Sequence, residues 1–209
     1  MAVAGLKGKR QRVKEAAGAL SMSKGGNMQK LGELALQKGE RVPVELLALT
    51  YGSLVRQVIA DYESIEEVNK QLDLMGYNIG VRLADDFFAK SGVSDCRSFQ
   101  DSAEIVAKVG FKMYLNVQAS VDLWNADNTA YSILFDENPL AEFTELPEEY
   151  AQLSFSNLVC GVIRGALEML LLVVKCEFVR STLQGNEMNE IRISLVEMLR
   201  ESAPEDDED

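Results

Sequence analysis

Leu158-Val-Cys-Gly-Val-Ile-Arg-Gly-Ala-Leu-Glu-Met-Leu-Leu-Leu-Val-Val174 is the most apolar run in the chain. Arg164 and Glu168 interrupt it, and each would cost about 2.5–3.5 kcal/mol near a bilayer centre, so the run is not a membrane span. Its helical part is apolar nearly all round. This predicts a buried central helix over about Glu148–Leu172, behind Pro147. Directly after it, Val173–Leu183 and Ile191–Leu199 read as two strands joined by a turn at Gln184-Gly185-Asn186, with Ile191, Ile193 and Leu195 alternating.

Working outward, the earlier chain reads as helices. Pro43 suits a first helical turn, and Leu47, Leu54, Val55, Val58 and Ile59 give helical spacing over Glu45–Asp61. A second helix is expected over Ile65–Lys90, carried by Val68, Leu72, Met75, Ile79, Leu83 and Phe87 and stopped by Ser91-Gly92. A third is expected over Ser98–Leu115, with Ile105, Val106, Val109 and Met113 on one side. Residues 117–146 break the pattern. Trp124, Asn125, Asp127 and Asn128 suit a turn, Tyr131–Phe135 a short strand, and Asn138-Pro139 another turn. Helices followed by antiparallel strands imply an α+β domain, about four main helices on one face of a small sheet.

A chain of 209 residues, 47% hydrophobic and 26% charged, has the balance of a soluble globular protein. At this length roughly 70% of the unfolded surface can be buried without a disulfide or metal staple. Lys and Arg number 21 against 33 Asp and Glu, a net charge of −12 that argues against general nucleic-acid binding. Residues 1–40 run the other way, with eight basic and three acidic residues for a net of +5. Glycines interrupt this arm, so residues 1–42 read as a basic extension able to bury little, with a short helix at Met28–Lys38. Its charge suits anionic lipid or an acidic partner. Residues 43–200 read as a single domain, and 201–209 as a solvated acidic tail with six acids.

There is no histidine, which removes Ser-His-Asp and Cys-His catalysis and His-ligated metal sites. Cys96, Cys160 and Cys176 are too far apart for a CxxC-type site and read as thiols in a reducing compartment. No metal or nucleotide motif is present. Gly76-Tyr-Asn-Ile-Gly80 and Gly161-Val-Ile-Arg-Gly165 are GxxxG pairs inside expected helices. Mid-helix glycine costs about 1 kcal/mol relative to alanine, so these four need a reason. Close approach of another element is the first reason, and space for a ligand the second. Cys96 sits in Ser94-Asp95-Cys96-Arg97, where Arg97 favours the thiolate and Asp95 opposes it.

Five long stretches together are familiar. They are Glu45-Leu-Leu-Ala-Leu-Thr-Tyr-Gly52, Val68-Asn-Lys-Gln-Leu-Asp-Leu-Met-Gly-Tyr-Asn-Ile-Gly-Val-Arg-Leu83, Ile105-Val-Ala-Lys-Val-Gly-Phe-Lys-Met-Tyr-Leu115, Asp136-Glu-Asn-Pro-Leu-Ala-Glu-Phe-Thr-Glu-Leu-Pro147 and Phe155-Ser-Asn-Leu-Val-Cys-Gly-Val-Ile-Arg-Gly-Ala-Leu-Glu-Met169. In this order, from about Pro43 onward, they resemble the small core subunits of the transport protein particle (TRAPP), the Bet-three family. The resemblance implies helices packed on a twisted antiparallel sheet, with pairing into homo- or heterodimers through the helices. It implies a non-catalytic subunit of a vesicle tether that exchanges guanine nucleotide on a Rab GTPase in ER-to-Golgi traffic. Such a subunit is cytoplasmic, peripherally on Golgi and endoplasmic reticulum membranes.

By the same resemblance Cys96 is the acylation site, with a palmitoyl chain held in an internal tunnel beside Gly110, Val106, Val109 and Leu83. The GTPase contact falls on the C-terminal segment Pro204, Glu205, Asp206, Asp207, Glu208 and Asp209. No metal or other cofactor is implied. Asp95 departs from the basic residue usual before this cysteine, and its charge should raise the thiol pKa and slow acylation. The alternative reading is a free-standing module that binds an acyl chain. An acyl-transfer enzyme at Cys96 would lack a histidine base.

Overall fold

The computed structural model of the protein describes residues 28–93, 96 and 98–199. Most of the basic arm, Asp95 and Arg97 beside the cysteine, and Pro204 to Asp209 lie outside the described residues. The element order is α1 (Met28–Lys38), α2 (Val44–Asp61), α3 (Ile65–Ser91), α4 (Phe99–Ile105), a π-helical turn (Val106–Gly110), α5 (Phe111–Leu115), β1 (Ala119–Asp122), β2 (Ala130–Phe135), α6 (Asn157–Glu168), β3 (Leu172–Arg180) and β4 (Asn189–Met198). The architecture is α+β. The four strands form one antiparallel sheet in the order β1-β2-β4-β3.

Local chemistry sets the helix ends. Pro43 stands at the N-cap of α2. The Ser64 hydroxyl accepts from the Glu67 N–H at the start of α3, and Gly92 closes that helix at φ 74°. Ser98 accepts from the Asp101 N–H to open α4. These are side-chain N-caps and a left-handed C-cap in their usual places.

The centre of the fold is the contact of α3 with α6. The buried stripe of α3 is Val68, Leu72, Gly76, Gly80, Ala84 and Phe88, a repeat of four that keeps one face inward. On α6 the matching residues are Gly161 and Gly165. A Cβ on any of the four glycines would overlap the opposite backbone, at Leu158, Val162, Asp73 or Tyr77 respectively. The helices therefore touch backbone to backbone, so close approach explains these glycines. Arg164, between the two α6 glycines, pairs with Asp73 and lies 4.6 Å over the Tyr77 ring.

The sheet packs behind this pair. Tyr131, Ile133, Ile191 and Ile193 are fully buried and join α3 and α6 in one core with Leu72, Cys160 and Leu167. The Asn189 amide donates to the Phe135 and Asp136 carbonyls, which ties the start of β4 to the end of β2.

Three expectations need correction. The central helix spans Asn157–Glu168, not Glu148–Leu172. Residues 148–156 are held out of it: the Asn69 side chain accepts from the Ser154 N–H at 2.8 Å, and Asn138 donates to the Ser156 hydroxyl. Leu171, at φ 67°, then turns the chain into β3. The expected helix over Ser98–Leu115 carries a π turn at Val106–Gly110, where the Phe111 N–H reaches back to the Val106 carbonyl. Strand β1 was not expected, because Ala-Ser-Val-Asp offers only four residues of weak alternation. Helix α1, before Pro43, packs against the π turn, α5 and α3.

Adding a methyl group at Gly161 sets two effects against each other. Alanine gains about 1 kcal/mol of helix propensity, but overpacking against a fixed backbone costs about 1–3 kcal/mol or more. The overlap with the Asp73 carbonyl decides the sign. Gly161→Ala is expected to lower the urea midpoint with an unchanged slope, and a raised midpoint would contradict the backbone contact.

Candidate functional site

Beside the glycine crossing the two helices leave a space, and Val162 and Ala166, which meet Gly80, also line it. An apolar cavity of about 250 Å³ lies between α3, α6 and the π-interrupted helix. Leu83, Ala84 and Phe87 wall it from α3, Val162, Ala166 and Leu167 from α6, and Ile105, Val106 and Gly110 from the third side. The π turn admits one extra residue into a helical turn, a feature frequent at functional sites. At its end, Gly110 leaves the wall open, since a Cβ there would meet nothing nearer than the Ile105 carbonyl oxygen at 3.9 Å. The cavity lining is almost wholly apolar and suits an apolar guest.

Polar groups stand only at the margin. Tyr114 lines the cavity and donates to the Asp86 carboxylate at 3.1 Å. Burial, and then the Asp86 charge, raises its pKa above the ordinary tyrosine value of 10.0. Deep in the neighbouring core, Tyr51 donates to the Phe155 carbonyl and packs edge-on against that ring at 5.2 Å. Burial raises its pKa as well.

The residues singled out in the sequence divide three ways. Leu83, Val106 and Gly110 lie on the cavity wall. Val109 does not. It is fully buried in a second cluster with Phe88, Val93 and Ile105, because it falls off the helix face that carries Val106 and Gly110. Cys96 packs on this second cluster, with Phe87 and Leu170. Phe88 and Ile105 belong to both the cluster and the cavity wall, so the cluster that carries Cys96 adjoins the cavity, which Cys96 itself does not line. Cys160 is fully buried among apolar groups, and burial drives its pKa well up, which leaves it inert. Cys176 is half-buried at the edge of the same core, and burial raises its pKa as well. Missing from the sequence reading were the α6 wall residues Val162 and Ala166, which stand within and just after the Gly161–Gly165 pair. Among the described residues, no cluster of Cys, Asp and Glu could hold a metal ion, and no helix is long and apolar enough to cross a membrane.

A family model described as "Transport protein particle (TRAPP) component" matches residues 47–194. The chain belongs to this family. "Trafficking protein particle complex subunit 3" of Dictyostelium discoideum is 49% identical over 176 residues, 84% of this chain and 95% of the relative. "Transport protein particle subunit bet3" of Schizosaccharomyces pombe is 47% identical over 180 residues, 86% of this chain and 98% of the relative. Among solved structures, a trafficking protein particle complex subunit 3 from Naegleria fowleri, covalently bound to palmitic acid, superposes with a TM-score of 0.75 at 54% identity. That match covers 78% of this chain and all of the Naegleria chain. The TRAPP family assignment and the helices-on-sheet fold thus agree with the reading of the sequence, and a role as a TRAPP subunit follows.

The raised tyrosine pKa values have a signed consequence. Below pH 10 the protonated hydroxyls contribute in full, and that stability is lost as pH rises towards their folded-state values. Urea midpoints are expected to fall as pH rises above about 10, and Tyr114→Phe to fall less steeply than the parent. Identical slopes would show that Tyr114 is not held protonated by its surroundings.

Proposed function

We propose that this chain is a core subunit of a TRAPP tether that contributes to guanine-nucleotide exchange on a Rab GTPase in ER-to-Golgi traffic, and that it carries a palmitoyl chain on Cys96. The observation that carries the acyl reading is the apolar cavity walled by Leu83, Val106 and Gly110, which shares Phe88 and Ile105 with the cluster on which Cys96 packs. The palmitic acid bound covalently by the Naegleria relative supports it.

Acylation needs only the thiol and an acyl thioester. The Cys96 sulfur attacks the acyl carbonyl of a long-chain acyl thioester such as palmitoyl-CoA. A new sulfur–carbonyl bond forms, the donor carbon–sulfur bond breaks, and the departing thiolate takes the proton that Cys96 releases. Each CH₂ then placed in the cavity contributes about 0.8 kcal/mol. A chain so held acts as core and not as a membrane anchor. Asp95 slows the attack by disfavouring the thiolate.

Pairing with other TRAPP small subunits uses the outer face of α2. Leu46 and Leu49 are exposed there by 57% and 65%, one turn apart, and exposed Val42 precedes them. A stripe of large apolar residues on one helix is a common form of subunit interface. The acidic segment Pro204–Asp209 contacts the GTPase near its nucleotide, where its charge competes for the cation and repels phosphate. Membrane contact is peripheral, through the assembly.

Two variants test the reading and separate it from a free-standing acyl-binding module. Gly110→Leu puts a side chain into open space and is expected to abolish the palmitoyl adduct while the partner subunits still co-purify. Loss of the partners together with the adduct would make acyl binding the primary task. An assembly whose subunit lacks residues 203–209 is expected to exchange nucleotide more slowly, and full-rate exchange would remove the tail from the mechanism.

A further inference from the structure

Helix α1 stands before the family match, which begins at residue 47. It is docked on the side of the domain that carries Cys96. Its buried positions are Gly32 and Ala35, with Met28 and Leu31 half-buried, and its opposite face is solvated, with Leu34 51% exposed. Met28 and Leu31 pack on the cluster of Phe88, Val93, Ile105 and Val109, the same cluster on which Cys96 packs. Leu31 also reaches over Gly92, the residue that ends α3 and leads towards the cysteine.

The docking contact is specific. A Cβ on Gly32 would stand 2.6 Å from the carbonyl oxygen of Lys108, inside the π turn, and 3.0 Å from the Lys112 Cβ. The helix can lie this low on the π turn only because residue 32 has no side chain. With 11 residues, α1 is also shorter than the roughly 12–15 at which an isolated helix becomes even marginal in water. Its order therefore depends on docking, and losing the dock loses the helix. Elements of this kind, small and held by few buried groups, open at the low end of a protein's range of local stabilities.

We propose that α1 is a removable cover over the apolar cluster on which Cys96 packs, so that its docking on the π turn governs access to the thiol. This deepens the acyl reading above and rests on it. Docked, α1 covers part of the apolar cluster on which the half-buried Cys96 also packs. Undocked, it leaves Val93, Val109 and the cysteine side open, and an acyl thioester can approach.

The test uses the full chain, freed of acyl groups with hydroxylamine. A small maleimide is added, and labelling of each cysteine is followed by peptide mass spectrometry. Gly32→Glu blocks docking without touching the cavity wall, and Ala35→Glu does so from the adjacent turn. In both, Cys96 is expected to label at least about tenfold faster than in the parent, the gain that release of a low-stability element gives, while fully buried Cys160 stays protected. Equal Cys96 rates in all three proteins would overturn the cover. So would parallel acceleration at Cys160 in both variants, because α1 would then be an inseparable part of the core. Uptake from palmitoyl-CoA is measured separately on the same proteins, and both variants are expected to acylate faster. Faster labelling of Cys96 with no uptake by any form would leave the cover standing and remove the acyl reading beneath it.

Discussion

Four missing side chains hold this structure together. Gly76 and Gly80 on α3 face Gly161 and Gly165 on α6, and each sits where a Cβ would overlap the other helix's backbone. The glycines bring a helix-propensity cost of about 1 kcal/mol apiece, offset by the dispersion contacts that a dense backbone interface makes. Arg164 adds a polar clasp at the same crossing, with Asp73 as its ion partner and the Tyr77 ring beneath its guanidinium. The sheet, through Ile191 and Ile193, then packs against a helix pair whose spacing is already fixed.

The cavity lies beside this crossing, where Val162 and Ala166 meet Gly80, and Leu83, Phe87 and Leu167 also line it. The third wall is irregular for a related reason. The π turn at Val106–Gly110 ends on a residue with no side chain, and a regular helix with a larger residue at 110 would fill the space. An acyl chain on Cys96, as proposed above, would fill part of this space with apolar surface.

The helices were legible in the sequence because their apolar residues repeat at three and four and their ends carry strong chemistry, such as Ser64, Ser98 and Gly92. The glycine pairs announced a close approach, and the Bet-three resemblance pointed to Gly110, Val106 and Leu83 on a wall that the structure forms. What escaped has physical causes. The π turn leaves no mark in a run such as Val-Ala-Lys-Val-Gly, because its extra residue keeps helical dihedrals. Val109, which the resemblance placed beside the tunnel, packs in the neighbouring cluster instead. The start of α6 was misplaced because Asn69, far off in sequence, captures residues 154–157 through side-chain hydrogen bonds. The docking of α1 was hidden as well, since glycines and lysines around it read as an extension able to bury little.

The most direct measurement of the central claim is the mass of this protein purified gently from its own cells, taken both in native assemblies and after denaturation. The account predicts small subunits of similar size bound to it, with a palmitoyl-sized adduct on the peptide containing Cys96 that hydroxylamine removes. A bare monomer whose Cys96 carries no acyl group would contradict it.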